Sequence, residues 1–333
     1  MKILFPLIRA GSGSDIFTAN LISGLKKKSI SAQIYNTYPW SVLVPAVTMK
    51  MMGAQDYDII HGNTWNGLLC EKNIPFMVTE HHVIHDPTFL SYKTKQQILF
   101  HKFIFRNEKL SLNRADRVTC VSNYTQKKLE QVFGLSDSRV IYNGIDTQLF
   151  RPLHQVQEKS DVFSKKTILF YVGNLSNRKG ADLLIPIMKE LDEGYHLFTT
   201  TGLRGFRNLR GVHIKNLGKI TLQHLIRAYN FCDIFLFPSR LEGFGLSVAE
   251  AMSCGKPVVT TDCSSLPELV VDGKGGYLCP MNDVQAFADA IRHLAEDENI
   301  SARMGKFNRQ RVLDMFTIDK MTREYIHLYQ GML

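Results

Sequence analysis

No apolar run in the 333 residues is long enough to cross a bilayer, which takes about 20 residues. The longest, "WSVLVPAVTMKMM", is interrupted by Pro45 and carries Lys50 near its end. The opening "MKILFPLIRAG" meets Arg9 and Gly11 too soon to be a signal peptide. A soluble, cytoplasmic protein is expected. The chain also lacks a CxxC and any tight Cys/His cluster, which excludes the usual zinc and dithiol sites. Its six cysteines (70, 120, 232, 254, 263 and 279) read as small core residues or free thiols in a reducing compartment. Without secretion, the three Asn-x-Ser/Thr sequons at Asn123, Asn174 and Asn299 carry no weight.

Charge is present, and it is uneven. The net charge is +9; residues 1–150 hold 17 Lys/Arg against 11 Asp/Glu, and the rest 23 against 20. In "KTKQQILFHKFIFRNEKLSLNRADR", residues 93–117, seven bases face two acids. A basic, aromatic helix there fits peripheral contact with an anionic membrane; the plainer alternative is a solvated helix face with its apolar stripe in the core. No nucleic-acid motif accompanies the charge, so nucleic acid is not an expected partner.

Composition is that of a globular protein, 44% hydrophobic and 21% charged, and the length suggests two domains. Short strands rich in β-branched and aromatic residues ("KILFPLI", "SAQIYN", "DIIHGN", "PFMVTEHH", "RVTCVS", "RVIYNG") alternate with amphipathic stretches such as "NYTQKKLEQVFG", where Gly134 is a C-cap candidate. Residues 151–166 are polar and aperiodic and read as a linker. The alternation then restarts with "TILFYVGN", "HLFTTTG", "VHIKNLG", "IFLFPS", "KPVVTTD" and "GGYLCP". The pattern predicts an α/β protein of two Rossmann-like domains with parallel sheets, residues 1–150 and 167–316, and a terminal segment 317–333. Ligands of such sheets sit beyond the carboxyl ends of the strands.

Four loops there could hold chemistry. "SRLEGFGLSVAEAMSCG" places Glu242 and Glu250 about a Gly-Phe-Gly turn, with a helix expected to start near Ser247. Free amides at a helix start favour phosphate. Two carboxylates around such a start suit a ligand with hydroxyls at both ends and phosphates between, the layout of a sugar nucleotide. Ser247-x-x-Glu250 also matches a capping box, which would employ Glu250 within its own helix. In "FYVGNLSNRKGADLL", Arg178 and Lys179 could hold a diphosphate or be a solvated turn. "RAGSGSDIFTANL" has Gly11 and Gly13 but no third glycine of a dinucleotide fingerprint, so an NAD enzyme is not supported. His81, His82 and His85 lack metal-ligand company and read better as hydrogen-bonding groups.

The combination resembles the retaining nucleotide-sugar glycosyltransferases of the GT-B fold, glycosyltransferase group one (family 4), over nearly the whole chain. "LEGFGLSVAEAMSCGKPVV" is similar to the family's Glu-seven-residues-Glu signature; "VIYNGIDTQLFRP", "ADRVTCVSNYT" and "DIIHGN" resemble further family segments in the family's order. The resemblance implies two sheets facing a central cleft, with "FTIDKMTREYIHLYQGML" as a terminal helix crossing back to the first domain. It implies transfer of a hexosyl group from a nucleoside-diphosphate sugar, UDP being the leading candidate, to a glycan, lipid-linked or small-molecule acceptor, with retention and no metal or cofactor.

By the same resemblance Glu242 contacts the donor sugar, with Gly243, Phe244, Gly245, Leu246 and Ser247 around it, and Glu250 accepts from the ribose diol. Lys179 neutralises the diphosphate, Gly13 offers its amide to the phosphates, and His81 contacts the sugar near the reacting carbon. Main chain near Gly218–Thr221 would read the base. Two departures stand out: Asn174 occupies a position the family commonly fills with Arg, for which Arg178 could substitute, and Ser12-Gly13-Ser14-Asp15 replaces Gly-Gly-x-Glu. Competing readings are a nucleotide-sugar epimerase of the same fold and a non-catalytic sugar-nucleotide-binding partner of another transferase. The expected place of action is the cytoplasm, with possible attachment at the inner face of the membrane.

Overall fold

A computed structural model describes residues 1–9, 11–38, 53–65, 73–153, 163–201, 211 and 213–333. Cys70, the apolar run 40–52 and residues 154–162 of the expected linker lie outside the described residues. The chain divides into two compact units, residues 1–144 with 318–333, and residues 145–317.

In the first unit β1 (Lys2–Ile8), β2 (Ser31–Thr37), β3 (Ile59–Asn63), β4 (Phe76–Glu80), β5 (Arg117–Cys120) and β6 (Arg139–Val140) form a parallel sheet in the order β2-β1-β3-β4-β5-β6. Helices α1 (Gly13–Lys27), α2 (Lys95–Arg114), α3 (Asn123–Phe133) and, from the far end of the chain, α10 (Ile318–Gln330) belong to this unit. The α3 helix stops at Gly134, whose left-handed φ of 72° lets its N–H reach the Glu130 carbonyl. Leu21 and Leu25 of α1 and Met321, Tyr325 and Tyr329 of α10 close on Ile3, Phe5, Ile59 and Met77 of the sheet. Both tyrosines also satisfy buried polar groups. Tyr329 Oη lies 2.6 Å from His61 Nδ1, while Tyr325 Oη lies 3.0 Å from Thr79 Oγ1 and 3.1 Å from Thr119 Oγ1.

In the second unit β7 (Thr167–Tyr171), β8 (Tyr195–Thr199), β9 (Ile214–Asn216), β10 (Ile234–Phe237), β11 (Val258–Thr261) and β12 (Gly276–Cys279) form another parallel sheet, ordered β12-β11-β10-β7-β8-β9. Its helices are α4 (Leu184–Glu190), α5 (Leu222–Phe231), α6 (Leu246–Ser253), α7 (Leu266–Leu269), α8 (Val284–Glu296) and α9 (Glu298–Met315). All four residues of β10 are buried, as an inner strand covered on both faces requires.

The division falls at 144/145 rather than after residue 150. Ile145 bridges to Thr317 and donates to the Phe316 carbonyl at 2.7 Å, and the Phe150 carbonyl accepts from Ser253 Oγ at 2.5 Å and Arg309 at 2.9 Å. These bonds hold 145–150 to the second unit. Strand order reverses between β1 and β3 in the first sheet and between β7 and β10 in the second. At such switch points the loops leaving neighbouring strands diverge and open a ligand crevice.

Candidate active site

The loops after β7 and β10 meet at the second unit's switch point, and they contain most of the residues singled out above. After β7, residues Asn177–Lys179 form a single 3-10 turn that ends at Gly180. Gly180 has φ 68°, and a Cβ on it would lie 1.8 Å from the Pro238 carbonyl oxygen. Only glycine allows the two loops to approach this closely. Arg240, 8% exposed, braces the same turn. Its guanidinium grips Asp182 with two bonds of 2.6 and 2.8 Å, reaches Asn282 Oδ1 at 2.7 Å and donates to the Asn177 carbonyl; its amide donates to the Arg178 carbonyl at 2.9 Å.

Held this way, Lys179 places its ammonium 2.6 Å from Glu242 Oε1 and 5.1 Å from the centre of the Phe237 ring. Arg178 donates to the Leu241 carbonyl at 2.6 Å and stands 3.7 Å from the same Glu242 oxygen. Lys179 is therefore half-buried and paired, not part of a solvated turn. Glu242 is buried and also accepts from Ser239 Oγ at 2.6 Å, while Ser264 Oγ receives its amide at 3.1 Å. Burial would push its carboxyl pKa up, but Lys179 and Arg178 and the hydrogen bonds outweigh that and hold it below the ordinary value. The result is a carboxylate fixed as an acceptor. Burial draws the Lys179 pKa down, against the pull of Glu242.

The turn that follows is shaped from beneath. Ser265 Oγ donates to the carbonyls of Glu242 and Phe244 at 3.1 and 3.0 Å. The Phe244 ring is turned into the core, edge-on to Phe316 at 5.6 Å, so only its backbone faces the loop side. Gly245, at φ 103°, is the N-cap of α6, which begins at Leu246, one residue before the expected Ser247. No side chain caps this helix start. The first-turn amides of Leu246 and Ser247 thus remain an anion-favouring terminus.

The capping box is not formed. Glu250 lies in the body of α6, and its Oε2 accepts from Tyr229 Oη of α5 at 2.7 Å. Burial raises the Glu250 pKa to about 7, with the Tyr229 hydroxyl opposing. The two glutamates therefore differ in kind: Glu242 is an ion-paired anion, Glu250 a carboxyl near the midpoint of its titration at neutral pH.

Gly13 and His81 belong to the first unit. Gly13 opens α1, where the Asp15 carboxylate accepts from the amides of Gly11 at 2.6 Å and Ser12 at 3.3 Å. His81 follows β4, edge-on to Phe17 at 4.7 Å, and lines a small recess with Phe5, Ser14, His61 and Asn63. Burial lowers its pKa to about 4, so the ring is neutral at pH 7. The neighbouring histidines have other company. The His82 amide donates to Glu80 at 2.9 Å and its ring meets Phe89 edge-on, whereas His85 Nε2 lies 2.5 Å from Glu108. Among the described residues no group of three His, Cys, Asp or Glu is placed to hold a metal ion.

Sequence reasoning missed Asp182, Tyr229, Ser239, Arg240, Ser264 and Ser265. Ser239 and Arg240 were within reach, since they sit on the same strand end as Glu242. Tyr229 and Asp182 come from other elements with no local sign of their partners.

The family model for glycosyl transferases group 1 matches residues 166–297, and that for glycosyltransferase family 4 matches residues 9–149. An uncharacterized glycosyltransferase of Methanocaldococcus jannaschii is 26% identical over 93% of both chains. Sucrose-phosphate synthase from Thermosynechococcus elongatus superposes with a TM-score of 0.85 at 20% identity, covering 99% of this chain and 98% of the other. HepE of Anabaena, in a complex with UDP and glucose, gives 0.79 at 20% identity, covering 99% of this chain and all of the other. The chain belongs to the group 1, family 4 glycosyltransferases of the GT-B fold.

Proposed function

We propose that the protein transfers a hexosyl group, with retention and without a metal, from a nucleoside-diphosphate sugar bound at the β7/β10 switch point. The single observation behind this reading is the placement of Glu242, Lys179, Arg178 and the uncapped start of α6 in one place. The sugar hydroxyls bond to the Glu242 carboxylate and to the backbone of Gly243, Phe244 and Gly245. The diphosphate lies against Lys179, Arg178 and the amides of Leu246 and Ser247, and the ribose diol meets Glu250. Each hydrogen bond to an ionised carboxylate contributes about 1.5–3 kcal/mol. Catalysis is mainly stabilisation of charge on the departing diphosphate by groups already in position. Arg178 takes the place of the cation absent at Asn174.

UDP is the proposed nucleotide, supported by the UDP complex of HepE. A cytoplasmic site of action is supported by the free thiols of Cys120, Cys232, Cys254, Cys263 and Cys279. The acceptor is proposed to be a sugar-bearing, lipid-linked molecule, with the protein in peripheral contact with an anionic membrane. For Gly13 and His81 the roles rest on family resemblance.

The test is thermal stabilisation by UDP, GDP and ADP and their sugars, followed by product analysis. One nucleotide sugar should raise the melting temperature, and Glu250→Ala should remove the shift. Anomeric configuration of the product decides retention, and turnover in EDTA decides metal independence. His81→Ala should lower turnover with the nucleotide-induced shift retained. No shift with any nucleotide would sink the donor assignment; nucleotide release with no acceptor and no glycoside would favour the epimerase.

A further inference from the structure

The α2 helix is fixed in rotation by the residues it buries. Ile104, Glu108, Ser111 and Leu112 face inward. Glu108 is locked there by Trp65 Nε1–H at 2.8 Å and His85 Nε2 at 2.5 Å. At about 100° per residue, Leu99, Phe103 and Leu110 then share the outward side, and they are 73%, 61% and 38% exposed. Phe100, 51% exposed, borders them. Lys95, Lys102, Arg106 and Lys109, all exposed, run along the other border. The helix has one acid, Glu108, and it points inward. The outward surface is thus an apolar stripe beside a row of cations, with no acid of the helix on it.

Charge decides among occupants. An isologous contact between two copies would gather two rows of cations at one interface with no acid of either helix face to offset them. A bilayer with anionic headgroups matches both halves of the surface, since Leu and Phe enter the acyl boundary while Lys and Arg stems extend to the phosphates. We propose that this face of α2 docks the protein on an anionic lipid bilayer, with Leu99, Phe103 and Leu110 inserted and Lys95, Lys102, Arg106 and Lys109 meeting lipid phosphates. The inference rests on the peripheral-contact reading above and gives it an address; it does not depend on the identity of the donor.

The test is co-sedimentation of the full chain, without nucleotide or acceptor, with vesicles of equal parts phosphatidylglycerol and phosphatidylcholine or of phosphatidylcholine alone. Binding to the anionic vesicles is expected, weakened at least about tenfold without the anionic lipid and weakened again when salt rises from about 0.1 M to 1 M. Leu99→Ser with Phe103→Ser, and separately Lys102→Glu with Arg106→Glu, should each reduce binding at least about tenfold. Circular dichroism melts show whether these surface variants remain folded. Wild-type protein that ignores anionic vesicles would overturn the proposal, as would binding untouched by either pair. So would a wild-type dimer that Leu99→Ser with Phe103→Ser dissociates, which would make the face a protein contact. Because no nucleotide is present, failure here leaves the donor site untouched, and failure of the donor site leaves this result standing.

Discussion

Glu250 should make donor binding depend on pH in a window few carboxyls reach. Its pKa in the folded protein is about 7, raised from 4.5 by burial. Because the folded value is the higher one, the stability this group contributes is full below pH 4.5 and is lost as pH rises through 7. The difference of 2.5 units corresponds to about 3 kcal/mol lost by pH 8. Glu250→Gln keeps an oxygen for the Tyr229 hydroxyl and removes the titration. The variant should thus be more stable than wild type at pH 8 by up to about 3 kcal/mol and close to it at pH 4.

Donor binding runs the opposite way. Ribose hydroxyls bond more strongly to the carboxylate than to the neutral acid, by about 1–1.5 kcal/mol. Affinity for a UDP-sugar should therefore fall about three- to fivefold from pH 8 to pH 6, and binding at pH 7 should release protons. Titration calorimetry in buffers of different ionisation enthalpy measures both. A nucleotide sugar is the right probe because its doubly esterified diphosphate does not titrate in this range. The nearby Cys254 thiol, pushed up to about 12 by burial, is silent as well. Among the described residues Glu80, raised by burial and by Glu108 to about 8, is the other carboxyl able to respond. An affinity flat from pH 6 to 8 would refute the ribose assignment, as would a slope that survives in Glu250→Gln.

Lys179→Met leaves the Glu242 carboxylate buried beside Arg178 alone; stability should drop by about 3 kcal/mol and turnover by roughly 100-fold or more, read by urea melts and steady-state kinetics. Arg240→Lys loses the two-pronged hold on Asp182 and loosens the 177–179 turn, so donor KM should rise about tenfold. In a double-mutant cycle Arg240→Lys and Asp182→Asn should be markedly non-additive; full additivity would show that the pair does not act through the turn. Gly180→Ala combines a left-handed φ with a 1.8 Å clash against backbone and should destabilise by more than about 3 kcal/mol, or fold with the Lys179–Glu242 contact broken and donor-induced stabilisation lost.

The strands were legible where burial on both faces leaves a continuous apolar run, as in "IFLFP" for β10 and "TILFY" for β7. Helix α9 was not. Its buried side consists of Met304, Gly305, Asn308 and Val312, and half of that is not apolar. A Cβ on Gly305 would lie 2.0 Å from the Gly255 carbonyl oxygen, while Asn308 donates to the carbonyls of Lys256 at 2.8 Å and Gly275 at 2.5 Å. Close approach and hydrogen bonding attach this helix, and neither leaves a periodic hydrophobic trace. The candidate site divided along the same line. Glu242 and Glu250 stood out because a glycine turn and a helix start lie between them. The local Ser247-x-x-Glu250 pattern was equally visible and misleading, because Gly245 takes the cap and a tyrosine from another helix claims the carboxyl.

Charge accounting explains why Glu242 can be buried beside the place proposed for an anion. Arg240 is cancelled by Asp182, its bidentate partner. Arg178, Lys179 and Glu242 together leave one positive charge, to which the start of α6 adds roughly half a unit. A diphosphate diester brings two negative charges, so the occupied site comes near neutrality instead of trapping its product behind two bare cations. Glu242 thus has two uses in the proposed reading: it accepts the sugar hydroxyls and moderates the cations, so that removing it should tighten binding of free UDP while weakening binding of the UDP-sugar.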